Sequence, residues 1–458
     1  MASTTTINPT TGEDLKTYEM HTDAEVGQII EATHQAFRSW RTVPIEERAN
    51  TIRAIGERLR KNERELSELM TAEMGKPIDQ GAQEVQLCAA ICDWTADNAA
   101  DALADQDQPM EGGRAIITNS PIGVIYGIQP WNFPIYQVIR YSVPQLVAGN
   151  TVLLKHANSV FGTALRLEEL YREAGLPENA FRALLIDHDQ SDDVIAHTKV
   201  RGVTLTGSDV AGKHVAVKAA ENLKKSVVEL GSNDAYLVLS DADVDLAVEV
   251  SVQGRITNNG QTCVGAKRFI IVDAIYDEFR DAYVEAMKAV ELGDPMQDGT
   301  ALGPMSREQL RDELHDQVEE SVKDGATLLL GGEKPDRAGA WYPATVIDDV
   351  KPGQPAYDDE LFGPVAALIR AKDDEDAMRI ANDSRYGLGG GIFSRDEKRA
   401  IELARTEFDT GMVNINGFNL AQPNLPFGGV KDSGYGREHG EAGFTEFVNV
   451  KTLMIAEA

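Results

Sequence analysis

From Ile122 onward the chain alternates short apolar runs with helix-length stretches, and this alternation restricts the fold more than any other feature. Ile122 to Ile128, Thr151 to Leu154, Ala183 to Ile186, Gly202 to Leu205 and Val227 to Leu230 have strand length. Between them Val138 to Val147, Gly162 to Ala174, Asp192 to His197 and Val210 to Ala220 read as helices. Such alternation predicts a doubly wound parallel sheet, with ligands at the carboxyl ends of its strands. After Gly231-Ser232-Asn233 the pattern restarts with Ala235 to Leu239, a Val244 to Arg255 helix, Phe269 to Val272 and a Tyr276 to Glu291 helix. A second α/β domain therefore begins near Ser232.

A helical segment from about Asp23 to Ala104 precedes the first sheet, rich in Ala, Glu, Arg and Leu at helical spacing. Two runs belong to neither domain. Arg114 to Thr118 follows Gly112-Gly113 as an isolated strand, and Val448 to Ile455 closes the chain as another; unpaired strand edges invite a second subunit.

Charge narrows the choice of partners. Across 458 residues, 74 acids face 44 Lys plus Arg, a formal charge of -30. That balance argues against nucleic acid and anionic membrane surfaces as partners. The acids lie in short groups such as Asp373-Asp374-Glu375-Asp376 spread along the chain, which fits a protein working in high cytoplasmic salt and a halophilic source. Met1 to Thr6 has neither the basic start nor the apolar stretch of a signal peptide, so a cytoplasmic location is expected. Three cysteines do not make a disulfide framework. Cys88 and Cys92 stand at i and i+4 on a predicted helix, where core packing is the reading, and no metal site is expected.

Cys263 is different, because it follows Asn259-Gly260-Gln261-Thr262 and precedes Val264-Gly265, a turn that displays a thiol as a nucleophile. Asn132, fixed between prolines in Pro130-Trp131-Asn132-Phe133-Pro134 at the end of a strand, is placed to donate to an oxyanion. Glu229 ends an apolar strand before Gly231, where burial raises a carboxyl's pKa and suits it to act as a general base.

Together with further landmarks in the same order, these motifs resemble the aldehyde dehydrogenase superfamily over essentially the whole chain. The landmarks are Asn8-Pro9 with Thr11-Gly12-Glu13, Pro130 to Pro134, Leu153-Leu154-Lys155, Thr206-Gly207-Ser208, Glu229-Leu230-Gly231 and Gly260-Gln261-Thr262-Cys263. Downstream follow Glu360-Leu361-Phe362-Gly363-Pro364, Asn382-Asp383-Ser384, Tyr386-Gly387-Leu388 and Pro426 to Gly434. The resemblance implies an α/β, aldehyde dehydrogenase-like fold: a Rossmann-type parallel-sheet NAD(P)-binding domain of residues 1–106 and 122–231, and an α/β catalytic domain of 232–435. Residues 107–121 and 436–458 would form a small β element for oligomerisation, giving a homodimer or homotetramer.

The same resemblance implies the chemistry. Cys263 would attack an aldehyde, Asn132 would hold the oxyanion of the thiohemiacetal, and Glu229 would activate the water that hydrolyses the thioester. NAD or NADP would be held by Trp131, Lys155, Asn158, Gly207, Ser208, Leu230, Glu360 and Phe362. His156-Ala157-Asn158 departs from the family's run of Pro, a small residue and Glu; losing that Glu makes NADP easier to admit. Ser232 stands where a second glycine is usual, and its Cβ is expected to tilt the nicotinamide or tighten its site.

Within the superfamily the chain looks most like the bacterial-type succinate-semialdehyde dehydrogenases, on Lys155-His156-Ala157 and Gln137-Val138-Ile139-Arg140. Arg140 is then a substrate-binding residue for a distal carboxylate, set against a plain structural ion pair. Thr257 occupies the position where some relatives carry a second Arg. Glutarate and 2-oxoglutarate semialdehydes and plain aliphatic aldehydes stay open as substrates. Release of the thioester to coenzyme A and a non-catalytic cofactor-binding homologue are the competing functions.

Overall fold

In the computed structural model, which describes residues 2–457, the antiparallel strands Ser3–Ile7 and Asp14–Glu19 are followed by four helices: Asp23–Trp40, Ile45–Lys61, Glu63–Met74 and Ile78–Ala102. A capping box starts the first, with Thr22 and Glu25 each satisfying the other's backbone N–H. Cys88 and Cys92 are fully buried on the fourth helix among Ile52, Ile55 and Leu59, as core residues. None of the described helices is long and apolar enough to cross a membrane.

The first sheet has six strands in the spatial order Gly434–Tyr435, Lys225–Glu229, Val200–Thr206, Val124–Gln129, Thr151–His156 and Phe181–Ala183. Its five longer strands run parallel, and only Gly434–Tyr435 is antiparallel. These strands read as unbroken apolar runs because helices cover both faces. Val124, Ile125 and Tyr126 are wholly buried, for example. The chain winds outward from Val124–Gln129 to Phe181–Ala183, then returns to place Val200–Thr206 on the other side of the starting strand. The switch point therefore lies between Val124–Gln129 and Val200–Thr206. A crevice opens there at the carboxyl ends of the strands.

A second sheet has seven strands, ordered Thr327–Leu330, Thr345–Asp348, Val365–Ala371, Arg268–Val272, Ala235–Val238, Gly390–Phe393 and Asn414–Ile415. All pair in parallel except the edge strand Thr327–Leu330.

Two expectations change. Arg114 to Thr118 and Val448 to Ile455 are not isolated, because the strands Gly113–Pro121 and Val448–Ala456 pair with each other over their full length and Gln106–Met110 adds a third. Apolar side chains such as Ile116 and Leu453 come opposite one another, a pairing across the whole chain that local pattern does not reveal. Gly434–Tyr435 also belongs to the first sheet, so the chain has returned there before the boundary set at residue 435.

Candidate active site

A cavity of about 220 Å³ occupies the crevice at the switch point. Eight residues singled out in the sequence line it: Trp131, Asn132, Gly207, Ser208, Leu230, Cys263, Glu360 and Phe362. Pro130, Thr206 and Gly231 complete the lining. Glu229, Lys155, Asn158 and Arg140 lie outside it.

The loop carrying Asn132 is held from behind. Lys76 and Glu84 form a fully buried ion pair, and Glu84 also accepts from the backbone N–H groups of Ile135 and Tyr136, each at 2.9 Å. Those groups begin the helix Tyr136–Ala148 and would otherwise lack partners. The Lys76 ammonium lies 3.9 Å from the centre of the Phe133 ring, next to Asn132. Asn132 donates through Nδ2 to the Gln261 carbonyl at 3.1 Å, which leaves its second amide hydrogen unassigned. Trp131 meets Phe362 edge to face, with centroids 5.8 Å apart.

The cysteine turn is built from three consecutive residues in the left-handed region: Asn258 and Asn259 at φ 56° and Gly260 at φ 73°. Asparagine tolerates that region and glycine prefers it. At Gly260 no other residue fits, since a Cβ would come within 2.2 Å of the Gly363 carbonyl carbon. Asn258 ties the turn to the opposite loop, donating from Nδ2 to the carbonyls of Asn132 (2.7 Å) and Gln261 (3.0 Å). Asn259 bonds the carbonyls of Gly75 and Pro304, each at 2.8 Å. Sequence reasoning began the turn at Asn259; the Asn-Asn-Gly triplet was the signal for including Asn258.

Cys263 is partly exposed at the cavity. Desolvation pushes its thiol up to about 11, opposed by the positive charges of Lys267 and Arg140. Glu229 is 1% exposed, and neither carboxylate oxygen has a hydrogen-bonding partner among the described residues. Burial raises its pKa well above the ordinary value, against the pull of Arg140.

On the opposite wall Ser208 caps the helix Asp209–Glu221, accepting from Ala211 N–H. The acid in that first turn, Asp209, is paired with Arg385 at 2.7 Å. A helix N-terminus with its neighbouring acid neutralised fits a pyrophosphate. Gly231 fits as well, because a Cβ there would come within 2.6 Å of Glu360 Oε2. Lys155, buried at the end of its strand, has its pKa lowered by desolvation, and exposed Asn158 follows in the turn Asn158–Val160.

Both ring nitrogens of buried His156 face backbone groups. Its Nε2 faces the Pro134 carbonyl at 2.8 Å, and Nδ1 accepts from Ala157 N–H at 3.1 Å. Burial lowers it to about 4 and keeps the ring neutral. Ser232 does not line the cavity, and its hydroxyl donates to buried Asp234.

Arg140 is wholly buried. Its Nε bonds Glu438, its Nη2 donates to Thr206 Oγ1 at 2.7 Å, and Nη1 has no partner among the described residues. Glu438 also accepts from Thr204 Oγ1 at 2.7 Å. The ion pair weighed against a substrate contact is thus present, and one guanidinium nitrogen is left over.

Comparison with known proteins agrees with this geometry. The model of the aldehyde dehydrogenase family matches residues 2–453. A succinate-semialdehyde dehydrogenase [NADP(+)] of Deinococcus radiodurans is 44% identical over 98% of this chain and 94% of its own length. A succinate semialdehyde dehydrogenase [NAD(P)+] of Escherichia coli is 43% identical over 98% of this chain and 96% of its own length. The crystal structure of succinic semialdehyde dehydrogenase from Streptococcus pyogenes in complex with NADP+ superposes with a TM-score of 0.96 at 39% identity, covering 99% of this chain and all of the other. With its switch-point cavity, its displayed cysteine and its match along nearly the whole length, the chain belongs to the aldehyde dehydrogenase family.

Proposed function

We propose that this chain oxidises an aldehyde to its carboxylate with NAD or NADP as acceptor, and that succinate semialdehyde is its substrate. The observation that carries the reading is that Cys263 and Asn132 open into one cavity with the Ser208 helix N-terminus. The relatives named above, which act on succinate semialdehyde, support the choice of substrate.

In this reading the Cys263 thiolate adds to the aldehyde carbon. The oxyanion accepts hydrogen bonds from the free N–H of the Asn132 amide and from the Cys263 backbone N–H. NAD(P), when bound, supplies the hydride acceptor, and an enzyme-bound thioester remains on Cys263. Glu229, once ionised, removes a proton from the water that attacks the thioester, and Cys263 leaves as thiolate. Lys155 and Asn158 would hold the adenosine ribose, Ser208 with Gly207 the pyrophosphate, and Glu360 with Phe362, Leu230 and Trp131 the nicotinamide end. Asn158 in place of an acid removes a charge that would repel a 2′-phosphate, so both nucleotides are admitted.

For the distal carboxylate the proposal relies on Arg140, whose Nη1 has no protein partner among the described residues. A kcat/KM panel over aldehydes of graded length, with and without a terminal carboxylate and with each nucleotide, tests substrate and acceptor together. Succinate semialdehyde should lead it; a preference for uncharged aldehydes of the same length would refute the substrate assignment.

Residues 1–106 and 122–231, with the returning strand Gly434–Tyr435, are taken as the nucleotide domain and 232–433 as the catalytic domain, with the three-stranded sheet as a contact between copies in a homodimer or homotetramer. The edge strand Val448–Ala456 leaves Val450 63% and Met454 74% exposed, which supports that contact. A monomeric mass by light scattering would remove it. A cytoplasmic location and a halophilic source complete the reading, supported by three free cysteines and the acidic composition.

A further inference from the structure

Behind the cysteine turn lies a lysine that the mechanism above does not use. Lys267, just before the strand Arg268–Val272, is wholly buried. Its ammonium donates to three carbonyls of the nucleophile's own loop: Thr262 at 3.0 Å, Cys263 at 2.6 Å and Gly265 at 3.4 Å. The same nitrogen lies 3.2 Å from Glu360 Oε1, across the cavity wall. A buried ammonium needs both hydrogen bonds and a counter-charge, and here the cysteine loop supplies the first and Glu360 the second.

We propose that Lys267 is a positioning residue that clamps the Cys263 backbone and sets the charge felt by the thiol, with Glu360 and Asp234 as the acids that moderate it. The inference rests on Cys263 being the nucleophile. Four charged groups act on the thiol: Lys267 from its own loop, Arg140 from the helix Tyr136–Ala148, Glu360 from the loop after Pro355–Asp358, and Asp234 from the turn before Ala235–Val238. Arg140 is itself paired with Glu438, feels the charge of Glu229, and lies 5.3 Å from the centre of the Tyr136 ring. Desolvation works against the thiolate, and the two cations favour it. Glu360 and Asp234 oppose the cations, and Asp234 is itself held by Ser232 and Gly389 N–H.

The signs follow from this arrangement. Lys267→Gln keeps amide donors for the loop but loses the charge, so the thiol should ionise at higher pH. Glu360→Gln and Asp234→Asn leave Lys267 less compensated, so the thiol should ionise at lower pH. Alkylation of the full-length protein by iodoacetamide, in which the Cys263 thiolate displaces iodide, reads this without substrate or nucleotide; Cys263→Ser supplies the blank. At pH 8, Lys267→Gln should react about tenfold more slowly, for a midpoint about one unit higher. Glu360→Gln and Asp234→Asn should each react at least about threefold faster, with midpoints moved down. Melting temperatures identify variants that fail to fold, and the two acid variants decide the matter if Lys267→Gln does not fold. Rates unchanged or slower in both acid variants would overturn the proposal, as would a normal pH profile in folded Lys267→Gln. A wild-type protein whose Cys263 does not react at all would instead overturn the nucleophile reading on which the inference rests.

Discussion

Glu229 faces two incompatible demands. As the proposed base it must lose a proton, yet burial raises its pKa and so disfavours that loss. Activity limited by hydrolysis should therefore rise as pH rises through its elevated pKa. Stability should move the other way. A carboxyl whose folded pKa is raised stabilises fully below its unfolded value, near about 4.3, and that contribution is lost as pH rises through the folded pKa. Glu229→Gln cannot ionise, so its melting temperature should gain on the wild type as pH increases, while it releases one burst of NAD(P)H and then turns over slowly. A melting difference that stays constant with pH would show that Glu229 is ionised in the resting fold. Arg140 calls for a ratio test, because Arg140→Ala also strands Glu438 and should cost about 3–5 kcal/mol of stability. Relative to an uncharged aldehyde of the same length, it should lower kcat/KM for succinate semialdehyde by a further 2–5 kcal/mol or so, about the range for a severed buried charge pair. Equal losses on both would assign Arg140 to the ion pair alone.

Among the elements, the cysteine turn depends most on backbone. Gly260→Ala would place a left-handed residue at a cost of about 1–2 kcal/mol and press its Cβ into the Gly363 carbonyl. The turn should shift, and a displacement of about 1 Å at the thiol is worth about a hundredfold in kcat. A variant that melts lower but keeps wild-type kcat would show the turn to be tolerant. This element also marks how far the site could be read from sequence. Cys263, Asn132 and the Ser208 helix start were legible because each stands where a strand or turn ends, and turn chemistry is local. Lys267 was not, because a lysine four residues past a cysteine reads as a surface charge until Glu360 arrives from a distant loop to bury it. Lys76 and Glu84 were missed for the same reason, since their common task is to hold the start of the helix Tyr136–Ala148. The strands of the two sheets were legible as apolar runs, whereas the pairing of Gly113–Pro121 with Val448–Ala456 depends on a contact between distant parts of the chain.

Across the whole molecule, the excess of acids shows where several of them gather round one surface cation. Arg166 meets Glu65, Glu169 and Glu173, Arg370 meets Asp273 and Asp277, and Arg385 meets Asp209, Asp359 and Asp432. Repulsion among the unpaired remainder is long-ranged at low ionic strength, where the screening length is about 10 Å at 0.1 M salt against about 3 Å at 1 M. The melting temperature should therefore climb over that interval of KCl and then flatten; a curve that is level or falls would mean the acids are already balanced. The short strand Gly434–Tyr435 has a consequence on this same scale. It closes the edge of Lys225–Glu229, with Gly434 packed so tightly that a Cβ would come within 1.9 Å of the Val228 carbonyl oxygen. On the ribosome the strand bearing Glu229 emerges long before the segment that covers it. The first sheet must wait with that edge open, and Glu229 gains its covering strand only after Gly434–Tyr435 has followed it out.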